Sequence, residues 1–190
     1  MIGRAGRPPA HLMLLTARAT PIPGVSIIES PIFRDSRGSF TTAFDVRDIA
    51  ALGLDLPLAE CQIATNAEAG TLRGLHWQEE PSAQAKLVRC IRGGIYDVAV
   101  DLRRDSPTFR RWTSVELTDD NGRALFIPVG CAHGYLTLTD HANILYIVSR
   151  FYDLPRQRGA RWNDPAFGIE WPAAPRAIAE RDASYPDFET

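Results

Sequence analysis

From Val25 onward the apolar residues fall in short runs cut by Gly, Pro, Asn and Asp, and few of them repeat at helical spacing. Runs of this kind, rich in Val, Ile, Leu, Tyr and Phe, predict β-strands. The expected strands are Val25–Glu29, Ser39–Phe44, Cys61–Thr65, Thr71–Trp77, Lys86–Ile91, Ile95–Leu102, Thr113–Leu117, Ala124–Ile127, Tyr135–Leu138 and Ile144–Phe151. Only Val46–Leu52 reads as a helix, with a further turn or two expected near Ala177–Asp182. Many short strands with almost no helix predict a sandwich or barrel, not βαβ units. The expected fold is therefore all-β: an eight-stranded jelly-roll barrel with a short helix near the N-terminus and a helical C-terminal tail.

The first 24 residues break this pattern. They hold Arg4, Arg7 and Arg18, no acid, and four prolines, and the apolar stretch Leu12–Leu15 is too short for a secretory signal. They read as a loose extension, with residues 25–190 as a single domain. The whole chain of 190 residues is about one domain's worth.

Charge and composition narrow the function. Lys+Arg 21 against Asp+Glu 23 leaves a net charge of -2, without the basic excess expected of a nucleic-acid binder. No apolar run approaches the ~20 residues of a membrane span. Three cysteines (Cys61, Cys90, Cys131) lack metal-type spacing and suggest reduced thiols in a cytoplasm. Lys86 is the only lysine among the 21 basic residues, and it stands out because arginine cannot replace a compact ammonium.

A pocket in such a barrel lies between its sheets, so polar residues inside strands are the ones to question. They are Arg73, His76, Lys86, Arg89, Asp97, Asp101, His133 and Tyr146. Strict pleating sends Arg73 and His76 to opposite faces, but Gly74 between them offers a bulge that re-aims a side chain. Arg73 can hold a phosphate and His76 can move a proton at neutral pH. A buried Lys86 can stabilise an oxyanion, although a solvated strand-edge lysine is the plainer reading. Tyr146 sits in the apolar run Ile144–Val148, where it is either a core phenol with one hydrogen bond or a general acid. Phe151 and Tyr152 offer aromatic faces for a base. His133 falls in Gly130–Gly134, which reads as a tight turn. A metal reading, with His76, Glu79 or Glu80, and His133 as ligands, is sparse. No phosphate-cradling loop, nucleophile elbow or helical zinc motif is present.

Taken together, several segments resemble the dTDP-4-dehydrorhamnose 3,5-epimerase family of nucleotide-sugar epimerases. They are Arg37–Phe40, Leu72–Gln78, Lys86–Arg89, Asp97–Asp101, Ser106–Phe109, Ile127–Pro128, Ala132–Gly134, Trp162–Asp164 and Ile169–Pro172, in order along most of the chain. The resemblance implies a cupin-type jelly roll that forms a homodimer by strand exchange and needs no metal or organic cofactor. It implies His76 as general base, Asp182 as its orienting carboxylate, Tyr146 as general acid and Lys86 as the cation beside the sugar oxygen. It also implies Arg37 and Arg73 as diphosphate or sugar contacts, His133 and Gln62 as further substrate contacts, and Tyr152 as the ring that stacks on the base. The recognition positions depart from the family's best-known members: Thr42 stands in place of a glutamate, Cys61-Gln62-Ile63 in place of Gln-Asp-Asn, and Ile147 in place of a basic residue. A metal-dependent cupin enzyme and a non-catalytic sugar-nucleotide binder remain the readings from other classes.

Overall fold

The computed structural model describes residues 14–188, which fold into two facing antiparallel sheets. The strands are β1 (Thr16–Ala19), β2 (Ser26–Glu29), β3 (Ile32–Asp35), β4 (Gly38–Thr41), β5 (Glu60–Thr65), β6 (Thr71–Gln78), β7 (Lys86–Arg92), β8 (Gly94–Asp101), β9 (Trp112–Thr118), β10 (Arg123–Ile127), β11 (Cys131–Thr137), β12 (Asn143–Val148), β13 (Gln157–Gly159) and β14 (Ala177–Ile178). The first sheet runs β1-β2-β10-β7-β12-β5 and the second β13-β6-β11-β8-β9, with β14 parallel on β6. β3 and β4 form a separate hairpin. The helices are α1 (Val46–Ala51) and α2 (Glu180–Ala183). This is the expected jelly roll.

Its central strands read as unbroken apolar runs because both of their faces are covered. Between the sheets, Ile27, Val88, Leu125 and Ile144 of the first pack against Ile95, Ala99, Leu117 and Tyr135 of the second. The outer face of the first sheet buries Ile28, Leu87, Phe126 and Ile147 under Leu15, Ile49 of α1 and Leu56. The outer face of the second buries Leu75, Val98, Val100 and Ala132 under Phe167 and Ala160 from the C-terminal segment. Burial of this apolar area is the main stabilising term, at about 25 cal/mol per Å².

Three expectations need correction. The loose extension through Gly24 lies partly outside the described residues, but from Leu14 the chain belongs to the fold. β1 pairs with β2, Leu15 is fully buried, and the Asp48 carboxylate of α1 accepts from the Leu14 and Leu15 N–H groups at 2.9 Å each. His133 lies inside β11, not on a turn, because Gly134 beside it lets two backbones meet. The helical tail is the single turn α2. α1 itself begins as read, where the Asp45 carboxylate accepts from Arg47 N–H and caps the helix.

Candidate active site

The bulge anticipated at Gly74 decides which side chains meet. Between the paired positions His133↔His76 and Tyr135↔Arg73, β11 advances by two residues and β6 by three. The extra residue cancels the pleat's alternation, so Arg73 and His76 both face one cavity. That cavity measures about 480 Å³, ample for a small ligand. Its walls come from both sheets. Arg73, His76 and His133 line it from the second; Lys86, Tyr146 and Gln62 line it from the first. On the first wall Lys86 and Tyr146 stand on adjacent paired strands, with Lys86 opposite Val148.

The C-terminal segment closes one side, held by the parallel pairing of β14 on β6. This brings Asp182 of α2, almost fully buried, against His76. Its Oδ1 lies 2.8 Å from His76 Nε2, and its Oδ2 accepts from the Gly74 N–H at 3.1 Å. Burial opposes the charge on Asp182, but the hydrogen bond and charge of His76, the Gly74 amide and Arg181 hold its carboxyl below the usual range. An ionised carboxylate is an acceptor only, so His76 Nε2 carries the proton and Nδ1 keeps the lone pair. Burial pushes His76 below its ordinary value of 6.5, with Asp182 working in the opposite direction, so the ring is neutral at pH 7.

A second imidazole–carboxylate pair lies deeper. His133 Nε2 is 2.7 Å from Asp97 Oδ1, and both side chains are buried. Asp97 Oδ2 has no hydrogen-bond partner. Burial raises the Asp97 carboxyl, while His133 and the charge of Lys86 act against that rise. Among the described residues no hydrogen bond or ion pair reaches the Lys86 ammonium. Burial lowers it to about 8, with Asp97 opposing the fall, so it is still mostly charged at pH 7. Tyr146 packs edge-on against the His133 ring, with centroids 5.8 Å apart. Burial pushes its phenol well above 10, and the neighbouring Tyr135 and Asp97 add to the rise. It is therefore a protonated donor.

Tyr152 stands at the mouth, half exposed, with its hydroxyl donating to Gln157. Gln62 reaches the cavity from β5 but also donates to Glu60 at 3.0 Å. Eight of the nine expected site residues thus line one cavity. Arg37 does not: it projects from the β3–β4 hairpin, largely exposed, and pairs with Asp35 at 2.6 Å. Sequence reasoning missed Arg181, Gln84 and Gln157 on the rim. It also missed Asn66 behind Arg73, whose Oδ1 accepts from Arg73 Nε at 2.9 Å. Only the Asn at a strand end hinted at that anchor. Among the described residues no group of three His, Cys, Asp or Glu is placed to hold a metal ion, and no helix is long and apolar enough to cross a membrane.

Known proteins share this arrangement of strands. Residues 19–190 match the family model described as dTDP-4-dehydrorhamnose 3,5-epimerase. A relative of that description from Sinorhizobium fredii is 43% identical over 165 residues, covering 86% of this chain and 85% of the relative. One from Shigella flexneri is 41% identical over 170 residues, covering 89% and 93%. Among solved structures, the Bacillus anthracis dTDP-4-dehydrorhamnose 3,5-epimerase with TDP and PPi bound superposes with a TM-score of 0.88 at 37% identity, covering 92% of this chain and 99% of that one. The Streptomyces bikiniensis 3'-monoepimerase ChmJ, in complex with dTDP-quinovose, gives 0.82 at 35% identity, covering 88% and 85%.

Proposed function

The chain belongs to the dTDP-4-dehydrorhamnose 3,5-epimerase family, and from that premise we propose that it epimerises a nucleotide-linked 4-keto-6-deoxyhexose, converting dTDP-4-keto-6-deoxyglucose to dTDP-4-dehydrorhamnose. One observation carries the reading: a neutral imidazole held by a buried carboxylate faces a protonated phenol and an ammonium across one cavity.

The chemistry follows from that geometry. The hydrogens on carbons 3 and 5 are both α to the ketone, so removing either leaves an enolate. His76 takes the proton, and Asp182 then stabilises the imidazolium. Lys86 faces the developing oxyanion in a site where burial strengthens the attraction. Tyr146, on the opposite wall, returns a proton to the other face of the ring and so inverts the centre. Arg73, anchored on Asn66, takes the diphosphate, His133 contacts the sugar, Gln62 contacts the substrate from the first sheet, and Tyr152 stacks on the base. The residues bring no need for a metal or organic cofactor.

A single-centre reaction is the second reading, favoured by the likeness to the 3'-monoepimerase ChmJ. Mass analysis after incubation with dTDP-4-keto-6-deoxyglucose in heavy water tests both. Two deuterons, at carbons 3 and 5, are expected; one deuteron selects the single-centre enzyme, and none rejects the substrate.

The working form is a homodimer made by strand exchange, in which the β3–β4 hairpin carries Arg37 to a second copy's cavity. Two features support this. Phe33 and Phe40 are exposed on the hairpin, and Ile63 is exposed on the edge strand β5. The enzyme acts in the cytoplasm, a reading that its three free cysteines support.

A further inference from the structure

Tyr152 stands half exposed at the mouth of the cavity, on a stretch of chain that belongs to no strand or helix. A ring placed there binds a base well only if its backbone is fixed beforehand. Side chains do the fixing. The buried amide of Gln78, at the end of β6, accepts from the Asp153 N–H at 2.7 Å and donates to the Phe151 carbonyl at 3.2 Å. It also donates to the Ser82 carbonyl at 2.7 Å. The Tyr152 N–H donates to Glu60 Oε2 at 3.3 Å, and Gln157, paired with Gln78 across β13 and β6, accepts from the Tyr152 hydroxyl. Gln78 therefore grips the chain on both sides of Tyr152. The grip needs two donors and an acceptor on one uncharged group, which an amide supplies. Methionine would fill much the same volume, so packing alone does not account for the amide.

We infer that Gln78 is a positioning residue for nucleotide recognition: acting through the backbone of residues 151–153, it holds the Tyr152 ring where the base of the substrate stacks. This rests on the roles proposed above for Tyr152 and for the cavity. His76 and Gln78 stand two residues apart on β6, hence on one face of the strand, and both border the cavity. One strand therefore carries the general base and, through Gln78, fixes the ring at the mouth. The nucleobase is seated at a set reach from His76. Gln78 holds the loop and not the reacting atoms, so its loss weakens nucleotide binding and leaves the chemical step intact.

The test is a double-mutant cycle between Gln78→Met and Tyr152→Ala, read as the Kd of dTDP by calorimetry and as KM and kcat on dTDP-4-keto-6-deoxyglucose. Gln78→Met is expected to raise Kd and KM about tenfold, within the range for losing one base–aromatic stack, with kcat within about threefold. Tyr152→Ala is expected to weaken dTDP by a similar factor, and the double variant to add less than about twofold. An unchanged Kd, or factors that multiply in the double variant, overturns the inference, because a glutamine that only stabilised the fold would not couple to the ring. If Gln78→Met fails to fold, Gln78→Asn decides. Its amide falls one methylene short of residues 151–153, so the same coupled rise is expected, and its absence overturns the inference. A chain that binds dTDP but leaves the sugar nucleotide unchanged refutes the proposed reaction, while the dTDP cycle still decides for Gln78. A chain that binds no dTDP refutes the role of Tyr152 and overturns the inference with it.

Discussion

Gly74 and Gly134 cross with their backbones in contact: a Cβ built on Gly74 would lie 2.5 Å from the Gly134 Cα and 2.7 Å from the His133 carbonyl oxygen. Gly74 also has φ +120, a conformation that side chains rarely adopt. The crossing holds the bulge in β6, and through it the shared orientation of Arg73 and His76 and the amide that fixes Asp182.

Gly74→Ala is therefore expected to destabilise the domain by about 3 kcal/mol, since neither strand can move away without breaking its pairing. For a chain of this size that lowers Tm by roughly 6–12 °C. Thermal unfolding followed by circular dichroism checks it, and a change under about 1 kcal/mol would show that the crossing is slack.

The acid limb of kcat/KM reports His76. The ring is a base only when neutral, so activity falls as pH drops through a value below 6.5. Asp182→Asn removes the charge that counteracts burial, so the limb moves to lower pH while the rate falls roughly 10²-fold or more. The same depressed value favours the neutral ring in the folded state. Its stability contribution is complete above 6.5 and is lost as pH falls through the folded value. Paired pH–rate and urea-midpoint profiles of the two proteins measure both effects.

Lys86 sets the other limb. With its ammonium lowered to about 8, activity is expected to decline as pH rises through that value. Lys86→Met should lose about 10²-fold or more in kcat. It should nevertheless gain about 1–2 kcal/mol of stability at pH 7, because the folded state no longer holds a half-buried charge that desolvation penalises. The lost attraction to Asp97 limits that gain. Urea unfolding at pH 7 decides whether the cation is kept at a stability cost, and a less stable variant would contradict it.

Arg37 offers a test of strand exchange. If it serves the partner's cavity, Arg37→Ala and His76→Asn chains are each impaired alone. Co-expressed, they restore activity through hybrid dimers, in which one cavity has both His76 and the other chain's Arg37. Activity no greater than the sum of the separate variants, or a sedimenting species of only 21.0 kDa, would rule the exchange out.

The fold class and several of the site's side chains are legible along the chain, for a local reason. Strands alternate or fill with apolar residues according to which faces are covered, so His76, Lys86 and Tyr146 stand out as polar groups inside such runs. Gly74 could be read as a bulge because glycine there has so few other uses. The pairings between these groups were decided only in three dimensions. Asp182 meets His76 across 106 residues, an encounter that no periodicity records and that depends on β14 docking on β6. From sequence it rested on the resemblance alone. Tyr135 reads along the chain as a core aromatic, and only the fold brings Asn66 from β5's end to its hydroxyl. β1 escaped notice because its residues are exposed, and what ties it down is a carboxylate on a helix some thirty residues away. Local propensity chooses the elements; burial of long-range polar pairs, each needing a partner once water is gone, chooses which side chains share the cavity.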